Sequence, residues 1–263
     1  MVVEENSNFE AGPGFRPLVP RPASGRVFVG HRRVRLSDAD PFGRLRLDAV
    51  ARYLQDVAGD DVLETGWGSP DHFWLVRRTV IQQLRPISIE DMVEMTTWSS
   101  GTASSSASRR TTLAAERGGL IEAESVWVHL GREGRPERFG GNFFEVYGHS
   151  ANGRRISPRL ELPDPPAAER TPWPLRLTDL DVLGHLNNAA YWEAIEETAA
   201  QKGISLAAPL EAALEFRQAI DLGDEVELLY STEENVLRLG LAVSDSVRAV
   251  AALSVVKASA GEG

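Results

Sequence analysis

Hydrophobic positions along this chain switch repeatedly between a period of two and a period near three and a half. Val27, Val29, Val34 and Leu36 alternate with polar residues and predict a strand over 26–36. Val50, Tyr53, Leu54, Val57 and Val62 then follow helical spacing and predict a helix over 47–64. Asp48 falls in its first turn, where a carboxylate suits the positive end of the helix. Beyond the breaker Gly66-Trp67-Gly68-Ser69-Pro70, extended runs occupy 74–81, 92–98, 108–115 and 120–130, with Gly118-Gly119 turning the chain between the last two. The order then returns. A short strand is predicted over 173–177, a helix over 188–202 with Tyr191, Ile195 and Ala199 on one face, and strands from Leu214, Val226, Val236 and Val247.

The two halves share more than their order. Asp38-Ala-Asp-Pro-Phe-Gly-Arg-Leu45 aligns with Asp179-Leu-Asp-Val-Leu-Gly-His-Leu186 at a constant offset of 141 residues. A second match, at an offset of 133, places Ile87, Asp91, Val93 and Glu94 on Ile220, Asp224, Val226 and Glu227. A helix needs an apolar cover, and a curved antiparallel sheet supplies it. The predicted class is therefore α+β, a tandem (double) hotdog in which each half is a long helix wrapped by such a sheet. Joining the halves edge to edge hides strand edges that would otherwise pair with other chains. The expected divisions are a Pro-, Gly- and Glu-rich mobile tail over 1–24, a first hotdog over 25–150, a linker over 151–172 and a second hotdog over 173–263.

Composition narrows the class. With 42% hydrophobic and 25% charged residues the chain reads as globular, and a net charge of −10 disfavours nucleic acid as a partner. Cysteine is absent, which removes disulfides, thiolate metal sites and a cysteine nucleophile. No apolar run reaches the ~20 residues a membrane span needs, and the acidic start is unlike a signal peptide, so a cytoplasmic location is expected. Neither metal-ligand spacing nor a dinucleotide-binding glycine pattern occurs, so no metal and no cofactor is expected.

Three segments resemble the acyl-acyl-carrier-protein thioesterases of plants and bacteria: Trp74-Leu-Val-Arg-Arg-Thr79 with Asp91-x-Val93 and Thr97-Trp98, then Glu124-Ser-Val-Trp-Val128, then Asp179-Leu-Asp181 with His185-Leu-Asn-Asn188 and Tyr191. The resemblance implies hydrolysis of a fatty acyl thioester on acyl carrier protein, releasing free fatty acid. It carries catalytic roles onto Asp181 and His185. Where the plant pattern has asparagine this chain has Leu183, and where that pattern has a glutamate and a cysteine after a Leu-Glu-Tyr-Arg run, Leu214-Glu-Phe-Arg217 is followed here by Gln218, Ala219 and Ile220, so neither is present.

The chemistry suits those residues. Asp181 can act as nucleophile or as general base toward water, with His185 four residues on sharing the proton. Backbone amides around Gly184 and Leu186 are candidates to hold an oxyanion, and Asn187 and Asn188 to position substrate. Trp74, Trp98, Trp127 and Phe73 are candidates to bound the acyl pocket, and Arg77, Arg78, Arg109 and Arg110 to dock an acidic carrier. Three other readings remain: an acyl-coenzyme A thioesterase, a hotdog hydratase or dehydratase, and a non-catalytic acyl-binding protein. Arg44 weighs against the second, which wants histidine there. Assembly is expected as a monomer of fused hotdogs or a homodimer.

Overall fold

The computed structural model describes residues 14–67, 73–140, 142–166 and 169–256. Most of the expected tail, residues 1–13, lies outside them, as do 68–70 of the predicted Gly/Pro breaker. The first half supplies β1 (Phe28–Arg33), α1 (Leu47–Thr65), β2 (Phe73–Arg85), β3 (Met92–Thr102), β4 (Ser106–Ala115), β5 (Leu120–Leu130) and α2 (Phe143–Ala151). The second supplies β6 (Glu169–Trp173), α3 (Ala190–Gln201), β7 (Leu210–Phe216), β8 (Val226–Glu233), β9 (Val236–Val243) and β10 (Ser246–Val255).

Among the described residues the strands form a single 10-stranded sheet in the order β1-β3-β4-β5-β2-β7-β10-β9-β8-β6. That order reads alike from both ends once each strand is exchanged with its repeat partner. The seam is the antiparallel pair β2–β7, in register from Arg78 opposite Glu215 to Gln83 opposite Leu210. The double hotdog expected from the repeat is therefore one continuous sheet.

Alternation along the strands decides which face is covered. Ile81 and Ala212 point into the core with Leu47, Val50, Tyr53, Leu54 and Val57 of α1 and Tyr191, Trp192 and Ile195 of α3, in one cluster spanning both halves. Their neighbours Gln82 and Glu211 emerge on the opposite face, where Gln82 Nε2 donates to both Glu211 and the Arg16 carbonyl. The segment from residue 14 is thus held rather than free: Phe15 is buried, and Arg110 Nε donates to the Val19 carbonyl at 2.9 Å.

Three elements depart from expectation. The strand predicted over 173–177 is instead β6 over Glu169–Trp173, because Pro174 has no N–H to extend the ladder. Pro172 is tolerated there on an edge strand. The boundary expected after residue 172 accordingly falls inside a strand, and the preceding segment is pinned to the sheet by Glu161 and Leu162 N–H groups donating to the Glu215 carboxylate. Helix α2 was not predicted. It caps the open end of the first half through Phe143 and Tyr147, which pack with Trp67, Trp74 and Phe139.

Candidate active site

Each half carries the same loop ahead of its central helix. A single 3-10 turn, Leu36–Asp38 or Leu177–Asp179, ends in an aspartate whose Oδ2 accepts the N–H of Arg35 or Arg176. Two residues later a second aspartate folds the loop over itself. Asp40 Oδ1 accepts the Phe42 and Arg44 N–H groups, both at 2.9 Å, and Asp181 Oδ1 accepts those of Leu183 and His185 at 2.8 and 3.1 Å. Only a short acceptor side chain can do this, which is why aspartate occupies both positions. Gly43 and Gly184 take the positive φ, +84° and +79°, that closes the turn. Leu45 and Leu186 then donate to the carbonyls of Ile87 and Ile220, both at 2.8 Å.

The side chains carried by these twin loops differ sharply. Arg44 is 7% exposed and bonds Asp40 at 3.0 Å, the Leu45 carbonyl at 2.9 Å and Glu196 of α3. The other Glu196 oxygen accepts the N–H of Leu47, the first residue of α1, at 2.7 Å. Burial pulls the Arg44 pKa below its usual range, and the adjacent Asp40 only partly offsets this. Its counterpart His185 has a side chain 44% exposed, with Nε2 3.4 Å from Asp221 Oδ1. Asp181 and His185 are held together through backbone rather than by a bond between side chains. Asp221 was missed in the sequence because its contact with His185 joins two separate loops.

Three residues past His185 the loop meets a recess. Asn188 lines it with Trp192 and Phe216 from the second half and Gln55, Ser125 and Trp127 from the first. Gln55 and Trp127 also border an apolar cavity of about 230 Å³ between α1, the sheet and α2, whose other walls include Gly59, Val62, Trp74, Phe143 and Tyr147. Tyr191 is buried beside the loop, edge-on to Phe216. Burial, reinforced by the Asp181 and Asp221 carboxylates, pushes its phenol up, so it stays protonated.

Several of the candidate groups are engaged elsewhere in the structure. The Gly184 and Leu186 amides proposed for an oxyanion are already engaged, Gly184 N–H with the Asp181 carbonyl and Leu186 N–H with that of Ile220. Asn187 N–H bonds the Asp179 carbonyl, and its Oδ1 accepts the Ala189 N–H, so Asn187 organises the helix entry. Asn188 alone of the four faces the recess. Arg110 is buried against Glu122 and over Trp98, and Arg109 is paired with Asp61 at 2.7 Å, so neither presents a charge for docking. Arg77 holds the Phe216 carbonyl at 2.9 Å and Arg78 pairs with Glu161 at 2.7 Å. Trp74 and Trp127 border the cavity, whereas Trp98 lies under Arg110 and Phe73 is exposed.

Comparison with known proteins bears on most of the chain. The sequence pattern of the acyl-ACP thioesterase N-terminal domain matches residues 25–139, and that of the acyl-ACP thioesterase C-terminal domain matches residues 164–252. Uncharacterized proteins from two strains of Mycobacterium tuberculosis are 33% identical over 238 residues, 90% of this chain and 95% of theirs. An acyl-ACP thioesterase from Bacteroides thetaiotaomicron superposes with a TM-score of 0.71 at 17% identity, covering 87% of this chain and 97% of that one. The 12:0-ACP thioesterase from Umbellularia californica gives a TM-score of 0.71 at 19% identity, covering 87% and 96%. At such identities these structures speak for the fold.

Proposed function

The chain belongs to the acyl-ACP thioesterase family, and from that premise we propose that it hydrolyses fatty acyl-acyl carrier protein at the second-half loop, releasing free fatty acid and ending chain elongation. One observation carries the siting. The twin loop of the first half is filled by the Arg44–Glu196 pair, whereas in the second Asn188, three residues past His185, lines a recess of about 20 Å³ that shares Gln55 and Trp127 as walls with an apolar cavity. The acyl chain occupies that cavity, the thioester lies near Asn188, and the phosphopantetheine arm leaves past His185.

Asp181 Oδ1 is taken up by the loop, and Oδ2 makes no hydrogen bond among the described residues. We assign Oδ2 as the base that accepts a proton from the attacking water. The water oxygen bonds to the thioester carbon, the carbonyl electrons move to oxygen, and collapse expels the thiolate. His185, beside Asp221, protonates the sulfur and takes up in its place the proton that Asp181 removed from water, so both groups return to their starting states. In this reading the first half carries the acyl pocket, the second half carries the base and the acid, and the fused pair acts as a monomer. A cytoplasmic location accords with a carrier-protein substrate, and no helix among the described residues is long and apolar enough to cross a membrane.

The test is a panel of acyl-ACP, acyl-coenzyme A and enoyl thioesters with wild type and Asp181→Asn. Hydrolysis should favour acyl-ACP by at least about tenfold in kcat/KM, and Asp181→Asn should lower kcat by roughly 10²–10⁴-fold. Equal rates on both carriers would sink the substrate assignment. Unchanged turnover in the variant would sink the siting.

A further inference from the structure

The repeat extends from the loops into the helices. Subtracting the 141-residue offset carries Glu196 of α3 onto Gln55 of α1, and Asn188 onto Leu47. In the first site these positions are joined: Glu196 accepts the Leu47 N–H at 2.7 Å and pairs with Arg44. In the second site the equivalent groups are the Gln55 amide, the Asn188 N–H and His185. The Gln55 side-chain amide and the Asn188 N–H make no hydrogen bond among the described residues, and both residues line the same recess. Gln55 is half-buried and stands where this recess meets the acyl cavity.

A carboxylate at residue 55 would take the Asn188 N–H as Glu196 takes that of Leu47, and it would repel a developing oxyanion. An amide has the same reach without the charge, and its Nε2–H can donate. Resting on the acyl-ACP hydrolysis described above, we infer that Gln55 is a catalytic residue contributed by the first half, its Nε2–H and the Asn188 N–H together holding the thioester carbonyl oxygen. As water adds to the carbon, the electron pair reaching that oxygen is met by two donors already in place. When the C–S bond breaks, the pair returns to re-form the carbonyl. The half that lost its own chemistry thereby supplies an electrophilic clamp to the other.

Three variants assayed on acyl-ACP test this. Gln55→Ala should lower kcat by roughly 10²-fold, the usual loss for one oxyanion donor, with KM within about threefold and melting temperature unchanged. Gln55→Glu should be as slow at neutral pH and should recover as the pH falls through the titration of the new carboxyl, a response wild type does not show. Gln55→Asn, one methylene shorter, should stay close to Ala. A Gln55→Ala enzyme within twofold of wild type in kcat, or a Gln55→Glu enzyme with the wild-type pH profile, would overturn the inference while leaving the thioesterase reading intact. A wild-type protein that hydrolyses no thioester would defeat that reading itself, and with it the role given to Gln55.

Discussion

Two loops with the same backbone and opposite fates sit at the starts of α1 and α3. Both use an aspartate Oδ1 to bind two following N–H groups and a left-handed glycine to close the turn. In the first, Arg44 and Glu196 fill the space between the helices with a buried ion pair. In the second, the same positions hold a half-exposed imidazole and an amide that lines a recess and makes no hydrogen bond among the described residues. The lesson is that the loop is architecture and its chemistry lies in two further side chains. In a dimer of identical chains the two sites would have to change together. Covalent fusion lets one become filler while the other stays open.

His185→Ala and Arg44→Ala break this comparison most directly. His185→Ala should reduce kcat by about a thousandfold while leaving the melting temperature nearly unchanged, because the ring is half exposed. Arg44→Ala should do the reverse. It strands Glu196 between the helices and should cost about 3 kcal/mol in denaturant unfolding, the lower end for a broken buried pair because Glu196 keeps the Leu47 N–H. If both variants lose activity and stability alike, the division of labour between the sites is wrong.

Smaller effects sharpen it. Burial would raise the Asp38 pKa, but hydrogen bonds from Tyr53, the Arg35 N–H and Arg52 outweigh burial and hold it below 3.8. A carboxyl depressed in the folded state stabilises fully above its unfolded value and loses that stabilisation as pH falls through the folded one. Tyr53→Phe should therefore cost about 1.5 kcal/mol at neutral pH, a deficit that shrinks below about pH 3.8. The second half has Ala194 at the position of Tyr53, so the tyrosine hydrogen bond to the loop aspartate has no counterpart there. Smallest is Gly59→Leu. A Cβ there meets nothing within 4 Å, so the change should stabilise α1 by about 0.8 kcal/mol. The new side chain projects into the cavity and should disfavour long acyl chains by about fourfold in kcat/KM per methylene excluded. An unchanged chain-length profile would mean that the acyl group lies elsewhere.

The fold was legible because the repeat was. Period-two and helical patterns recur at offsets of 141 and 133, and a duplicated helix-and-strands unit has few ways to bury both helices. Helix α2 escaped notice because nine residues with Phe143, Phe144 and Tyr147 carry too short a period to tell from a strand. The loop of Asp181 was legible for the same local reason that it folds, an aspartate followed by glycine three residues on. What closes or opens each site was not. Arg44 meets Glu196 across 152 residues, and His185 meets Asp221 from another loop. Gln55 was within reach: the offset that aligned the loops, carried ten residues past Leu45, sets it against Glu196.

The unbroken β2–β7 pairing has one more consequence. With six residue pairs bridging the halves from Arg78 opposite Glu215 to Gln83 opposite Leu210, no cut through the molecule separates two independent cores. Amide protons along that ladder should exchange with solvent only when the entire chain opens, at the full free energy of unfolding. Neither half should persist as a folded intermediate once the other has melted.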